Sequence, residues 1–176
     1  MARDVIVLMP YDPEWARRFE AERAVLVRVL APWLENGIHH IGSTAIPGIA
    51  AKPIIDIMAG VRDLQESRAS FGPLREQSYV FAPHRPDEAH HFSKPSLRLS
   101  AITHSLHLTE PGSDLWRERI AFRDALRGDS ELVAEYGALK QRLARTYGDD
   151  VRAYTGEKRA FVSRVLEQAG IHLHPR

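Results

Sequence analysis

Residues 38 to 60 read I-H-H-I-G-S-T-A-I-P-G-I-A-A-K-P-I-I-D-I-M-A-G. An apolar run ends at Gly42-Ser43, small residues make a turn, and a second apolar run carries one carboxylate, Asp56. That is the pattern of a phosphate site. Small residues after a strand let backbone N–H groups approach an anion, and the Ser43 and Thr44 hydroxyls add uncharged donors. The β-branched neighbours of Asp56 in P-I-I-D-I-M predict a strand buried on both faces. An ionised carboxylate there must be hydrogen-bonded, paired or bound to metal. Lys52 is the candidate for a plain salt bridge, and a ligand site is the functional alternative.

Outward from this stretch, residues 5 to 9 read as a short strand. Asp12-Pro13 opens a helix running to about residue 34, with Trp15, Phe19, Leu26, Val29, Leu30 and Trp33 on one face and Pro32 bending or ending it. Downstream, Asp63 caps a helix that Phe71-Gly72-Pro73 keeps short or interrupted, and residues 79 to 82 read as a strand. Residues 83 to 96 hold three prolines and three histidines without periodicity and read as a loop bordering the site. Residues 97 to 108 read as a strand with Thr103, Ser105 and His107 on one face. Three helices follow, at 113 to 127, 130 to 147 and about 150 to 169, capped by Ser113 and Ser130 and closed by Gly170. Their polar faces carry Arg117, Arg123, Arg127, Lys140, Arg142, Lys158 and Arg159, for most of which a solvated face is the plain expectation.

At 176 residues, 44% hydrophobic and 27% charged, the chain suits one globular domain over 1 to 176. With no cysteine, disulfides and thiolate metal sites are excluded, and the expected location is cytoplasmic. The opening apolar run is too brief for a signal segment, and no run reaches membrane-spanning length, so no membrane partner is expected. A net charge of +1 does not by itself demand a nucleic-acid partner. Of nine histidines, His39 and His40 must point to opposite faces of their strand, and His40, in H-I-G-S, is the better candidate for the site. His90 and His91 fall in the loop, and His172 and His174 lie near the terminus.

The stretch H-I-G-S-T-A-I-P-G-I-A-A-K-P-I-I-D-I resembles the signature of the GrpB family, within the nucleotidyltransferase superfamily that includes DNA polymerase beta. P-Y-D-P-E-W, T-H-S-L-H-L, A-F-R-D-A-L, E-Y-G-A-L-K and Y-T-G-E-K resemble the family pattern in the same order, so the likeness covers nearly the whole chain. It implies an α/β (α+β) fold: a nucleotidyltransferase-like mixed β-sheet flanked by helices over about 1 to 112, then a helical C-terminal third over about 113 to 170.

The superfamily pattern is Gly-Ser on one strand, two carboxylates one residue apart on the next, and a third on a neighbouring strand. Gly42 and Ser43 match the first element and Asp56 the first carboxylate. Met58 stands in the place of the second, and a thioether cannot replace a carboxylate as a hard-cation ligand. The third falls on the strand of His107, where the family resembles H-x-H and this chain has Ser105 for the first histidine. The resemblance thus implies Asp56 and His107 as catalytic residues. Asp56, His107 and His40 become the candidate metal ligands, and Gly42, Ser43, Thr44, Lys52, Arg123 and Lys158 the nucleotide-phosphate ligands.

Two functions of different class follow. The first is metal-dependent transfer of a nucleoside monophosphate from a nucleoside triphosphate to an acceptor, small molecule or nucleic-acid end, with Mg²⁺ or Mn²⁺ and with nitrogen ligands favouring Mn²⁺. The second is a binding module for a nucleotide or a coenzyme-A-type ligand that keeps the phosphate turn without turnover; GrpB-like sequences fused to dephospho-CoA kinase imply the coenzyme. Nucleic-acid binding through the basic helices is weaker, for want of aromatic-basic alternation. The sequence does not fix the oligomeric state.

Overall fold

A computed structural model describes residues 5 to 173 of the chain. Helix α1 (Glu14–Leu30) starts where the Asp12 carboxylate accepts the Glu14 N–H at 2.9 Å, and it ends two residues before Pro32, whose missing N–H cannot continue the ladder. Its buried side chains, Trp15, Phe19, Leu26 and Leu30, recur at helical spacing, each contributing about 1.5–3 kcal/mol by burial.

The sheet is mixed, in the order β1 (Leu34–Ile41), β2 (Ile55–Val61), β5 (His104–Thr109), β4 (His90–Lys94), β3 (Val80–Phe81). β2 is antiparallel to β1 and parallel to β5, and β4 runs antiparallel to both β5 and β3. On one face Ile55, Ile57, Ala59 and Val61 join Leu106, Leu108 and Phe92 in a core with α1 and α2 (Phe71–Glu76). The opposite face looks towards the C-terminal helices α3 (Asp114–Arg127), α4 (Ser130–Thr146), α5 (Val151–Glu157) and α6 (Arg159–Gln168). Ile46 and Ile49, just past the small-residue turn, pack into a second core with Leu126, Tyr136, Phe161 and Val165, which ties that turn to the helices.

Five expectations are corrected. Residues 5 to 9 contribute only a bridge between Met9 and Ala51. The segment 83 to 96 is not all loop, because β4 lies inside it; its prolines flank the strand, and the alternation is disguised by histidine, with His90 and Phe92 inward and His91 and Ser93 on the other face. Residues 97 to 103 precede β5 as turns and one 3-10 turn at Leu99–Ala101. The last helix is broken at Lys158 into α5 and α6. Caps fall at Ser113, Asp129 and Asp150, each side chain accepting backbone N–H groups of its first turn, so Asp129 and not Ser130 caps α4. His174 and residues 1 to 4 lie outside the described residues. Among those described, no helix is long and apolar enough to cross a membrane.

Candidate functional site

Strand register builds the site from two rows of side chains on the helix-facing side of the sheet. Ile41, Asp56, Ser105 and Ser93 stand opposite one another across four strands, and one pleat further His39, Met58, His107 and His91 do the same. Because the side-chain period of a strand is two, Asp56 and Met58 share this face while their neighbours feed the core.

The turn leaving β1 brings backbone against the carboxylate. Gly42 adopts φ 71° and ψ −173°, open in practice to glycine alone, and a Cβ there would stand 2.4 Å from Asp56 Oδ2. Ser43 hydrogen-bonds the Tyr136 side chain from α4. Thr44 behaves differently from expectation: its hydroxyl donates to the Ile54 carbonyl at 3.1 Å and so must accept the Nε2–H of His40 at 2.9 Å. His40 stacks on Phe19 of α1 at 4.7 Å, on the far side of the sheet from Asp56. Burial, with Arg127 and Arg123, lowers its pKa to about 4. Both residues are spent on holding the turn, and His39 is the histidine of β1 on the Asp56 face.

Cations crowd round the single carboxylate. Burial pushes the Asp56 carboxyl up; Lys52, Arg119, Lys158 and the nearby Ser105 hydroxyl oppose this without cancelling it. No ion pair closes on Asp56 among the described residues, so the plain Lys52 salt bridge is not formed. Lys158, at the break between α5 and α6, lies 4.3 Å from the Tyr154 ring centroid and Lys52 5.9 Å from it. Burial and the neighbouring Lys52 lower Lys158 to about 8. Lys140, buried on α4, donates to the Ala50 carbonyl at 2.7 Å and is lowered to about 7 by burial, Lys158 and Lys52. Arg119 of α3 points the same way, its buried Nε without a hydrogen-bond partner among the described residues.

His107 is buried, its pKa held well below the ordinary value by desolvation, and it stacks on His91 at 4.5 Å. It stands opposite Met58, one pleat away from Asp56, and Ser105 is the β5 residue directly across from Asp56. Among the described residues no group of three or more His, Cys, Asp or Glu is arranged to hold a metal ion. A donor set of one carboxylate, ringed by two lysines and an arginine and followed by a thioether, does not fit the metal pair that the resemblance implies.

Of the expected phosphate ligands, Gly42, Ser43, Lys52 and Lys158 are brought to Asp56. Arg123 is not: it sits at the outer edge of β1, donating to the His40 carbonyl at 3.2 Å and paired with Asp124 at 2.7 Å. Sequence reasoning passed over Arg119. Its signal was the spacing 119, 123, 127, an arginine stripe along one face of α3.

The family model described as "GrpB protein" matches residues 5–168. The chain is 36% identical over 166 residues to the glutamate-rich protein GrpB of Alkalihalophilus pseudofirmus, covering 93% of this chain and 95% of that protein. Over 188 residues it is 28% identical to a dephospho-CoA kinase of Mycolicibacterium paratuberculosis, spanning 90% of this chain and 44% of that protein. Among solved structures, the conserved protein GrpB from Enterococcus faecalis matches with a TM-score of 0.84 and 27% identity, covering 93% of this chain and 96% of that one. Terminal uridylyl transferase 4 from Trypanosoma brucei with bound CTP matches with a TM-score of 0.50 and 13% identity, over 99% of this chain and 54% of that one, a likeness of fold.

Proposed function

This chain belongs to the GrpB family, and from that membership and its nucleotidyltransferase-like fold we propose that it binds a nucleotide by its phosphates at the Gly42–Ser43 turn. Lys52, Arg119 and Lys158, with Lys140 behind them, neutralise the phosphate charge that a metal pair neutralises in a transferase.

The observation that carries this reading is the buried, unneutralised positive charge beside the turn. Two lysines with depressed pKa values and an arginine with an orphaned Nε face one carboxylate that none of them pairs. Such a cluster costs stability when empty and gives that energy back to an anionic ligand. Glycine at position 42 lets the backbone approach the ligand as closely as it approaches Asp56.

Metal-dependent transfer to an acceptor is the second reading, favoured by the contact of Gly42 with Asp56 and set back by Met58. One panel separates the two. Melting temperature is followed with each nucleoside triphosphate and with dephospho-CoA, in Mg²⁺, Mn²⁺ or chelator, since a ligand that binds only the native state raises it. Binding predicts a rise in chelator. A rise confined to Mg²⁺ or Mn²⁺ supports the transfer reading instead, and no rise with any nucleotide contradicts both.

A further inference from the structure

Beside Asp56 the structure contains a hydroxyl–imidazole pair. Ser105 Oγ lies 2.9 Å from His91 Nε2, and His91 Nδ1 lies 3.1 Å from the carbonyl oxygen of Ala82. A carbonyl only accepts, so Nδ1 carries the proton, and the ring, kept neutral by burial, turns its Nε2 lone pair to the serine. His107 stacks flat on the same ring, at 4.5 Å and 25°, and fixes its plane. Nucleophile, base and orienting acceptor are therefore in hydrogen-bond series, the arrangement by which a serine hydroxyl is activated. Ser105 is directly opposite Asp56, within the row that ends at the phosphate turn.

We propose that Ser105 is a nucleophile, with His91 as its general base, towards the phosphorus of a nucleoside triphosphate held at the Gly42 turn. This rests on the nucleotide reading above. In the step, the Oγ–Pα bond forms and the bond from Pα to the bridging oxygen breaks. The hydroxyl proton passes to His91 Nε2, and pyrophosphate leaves beside Lys52, Arg119 and Lys158. The product is a nucleoside monophosphate ester on Ser105, which makes the chain its own acceptor.

Two reagents test this on the full chain. Diisopropyl phosphorofluoridate offers an electrophilic phosphorus without a nucleotide: Oγ–P forms, fluoride leaves, and His91 takes the proton. The expected result is one adduct, on Ser105, absent in Ser105→Ala and formed about 100-fold more slowly in His91→Phe, which keeps the ring stack and loses the base. In the unsubstituted protein the rate should fall as acid protonates His91, a readout independent of either variant's folding. No adduct, an adduct elsewhere, or a rate indifferent to both His91→Phe and acid overturns the proposal. The second reagent is CTP labelled at the α-phosphate, for which label bound covalently to Ser105 is expected. CTP that binds yet leaves Ser105 unmodified overturns the nucleotidylation step while the binding reading survives. An adduct from the fluoridate on a chain that binds no nucleotide overturns the nucleotide as its substrate, and the binding reading with it.

Discussion

Gly42 lies flat against Asp56: a methyl group in place of its hydrogen would meet the carboxylate Oδ2 at 2.4 Å. Turn and carboxylate are thus a single unit, and the backbone at φ 71° admits no side chain without strain. Gly42→Ala should cost about 1–3 kcal/mol of stability, seen in urea unfolding, and should also weaken nucleotide binding. A variant as stable as the parent with unchanged affinity would contradict the contact.

Lys158→Met removes a cation beside Asp56 whose other anchor is the Tyr154 ring. Affinity for a triphosphate should fall about 10-fold or more by calorimetry. The ligand-free protein should change by less than about 1 kcal/mol, because the lost cation–π contact is offset by the relief of a desolvated charge.

The lysines give the ligand-free protein a pH dependence of definite sign. Lys140 and Lys158 titrate at about 7 and about 8 in the folded chain, against an ordinary 10.5. Between those values the unfolded chain binds more protons, so stability should rise with pH through this window and be lost as pH falls through 8 and 7. A phosphate ligand favours the charged lysines, so binding at pH 8 to 9 should take up protons, and affinity should fall as pH rises. Calorimetry in buffers of differing ionisation enthalpy measures the uptake; proton release on binding would contradict the assignment.

His40→Phe should keep the stack on Phe19 and lose the hydrogen bond to Thr44, at a cost of about 1 kcal/mol. Nucleotide affinity, with or without Mn²⁺, should stay within about threefold of the parent, because the ring lies on the other face of the sheet. A Mn²⁺-specific loss would return His40 to the site.

Much of this was legible in the sequence. The strand-turn-strand of 38 to 60, the glycine at its bend and the alternation that puts Ser105 and His107 on one face follow from local periodicity and turn chemistry, and the structure has them. β4 was hidden because histidine stands where an apolar residue would mark a buried strand. The place of His40 in H-I-G-S favours it over His39, but local sequence cannot tell which face of a strand meets which helix; α1 covers His40, and α3, through Trp116, meets His39. Lys140 reads as a solvated helix residue and Arg119 carries no local signal of a site beyond its place in the arginine stripe of α3, since whether a basic helix face meets water or a sheet depends on packing between elements distant in sequence.

The central claim is that the protein's own cations, and not a metal pair, hold the phosphates. It is tested most directly by titrating the full chain with CTP in chelator, alongside Arg119→Gln. The account predicts binding in chelator within about tenfold of that in Mg²⁺, and a loss of about 10-fold or more in the variant under both conditions. Binding that vanishes in chelator, or that Arg119→Gln leaves untouched, would contradict it.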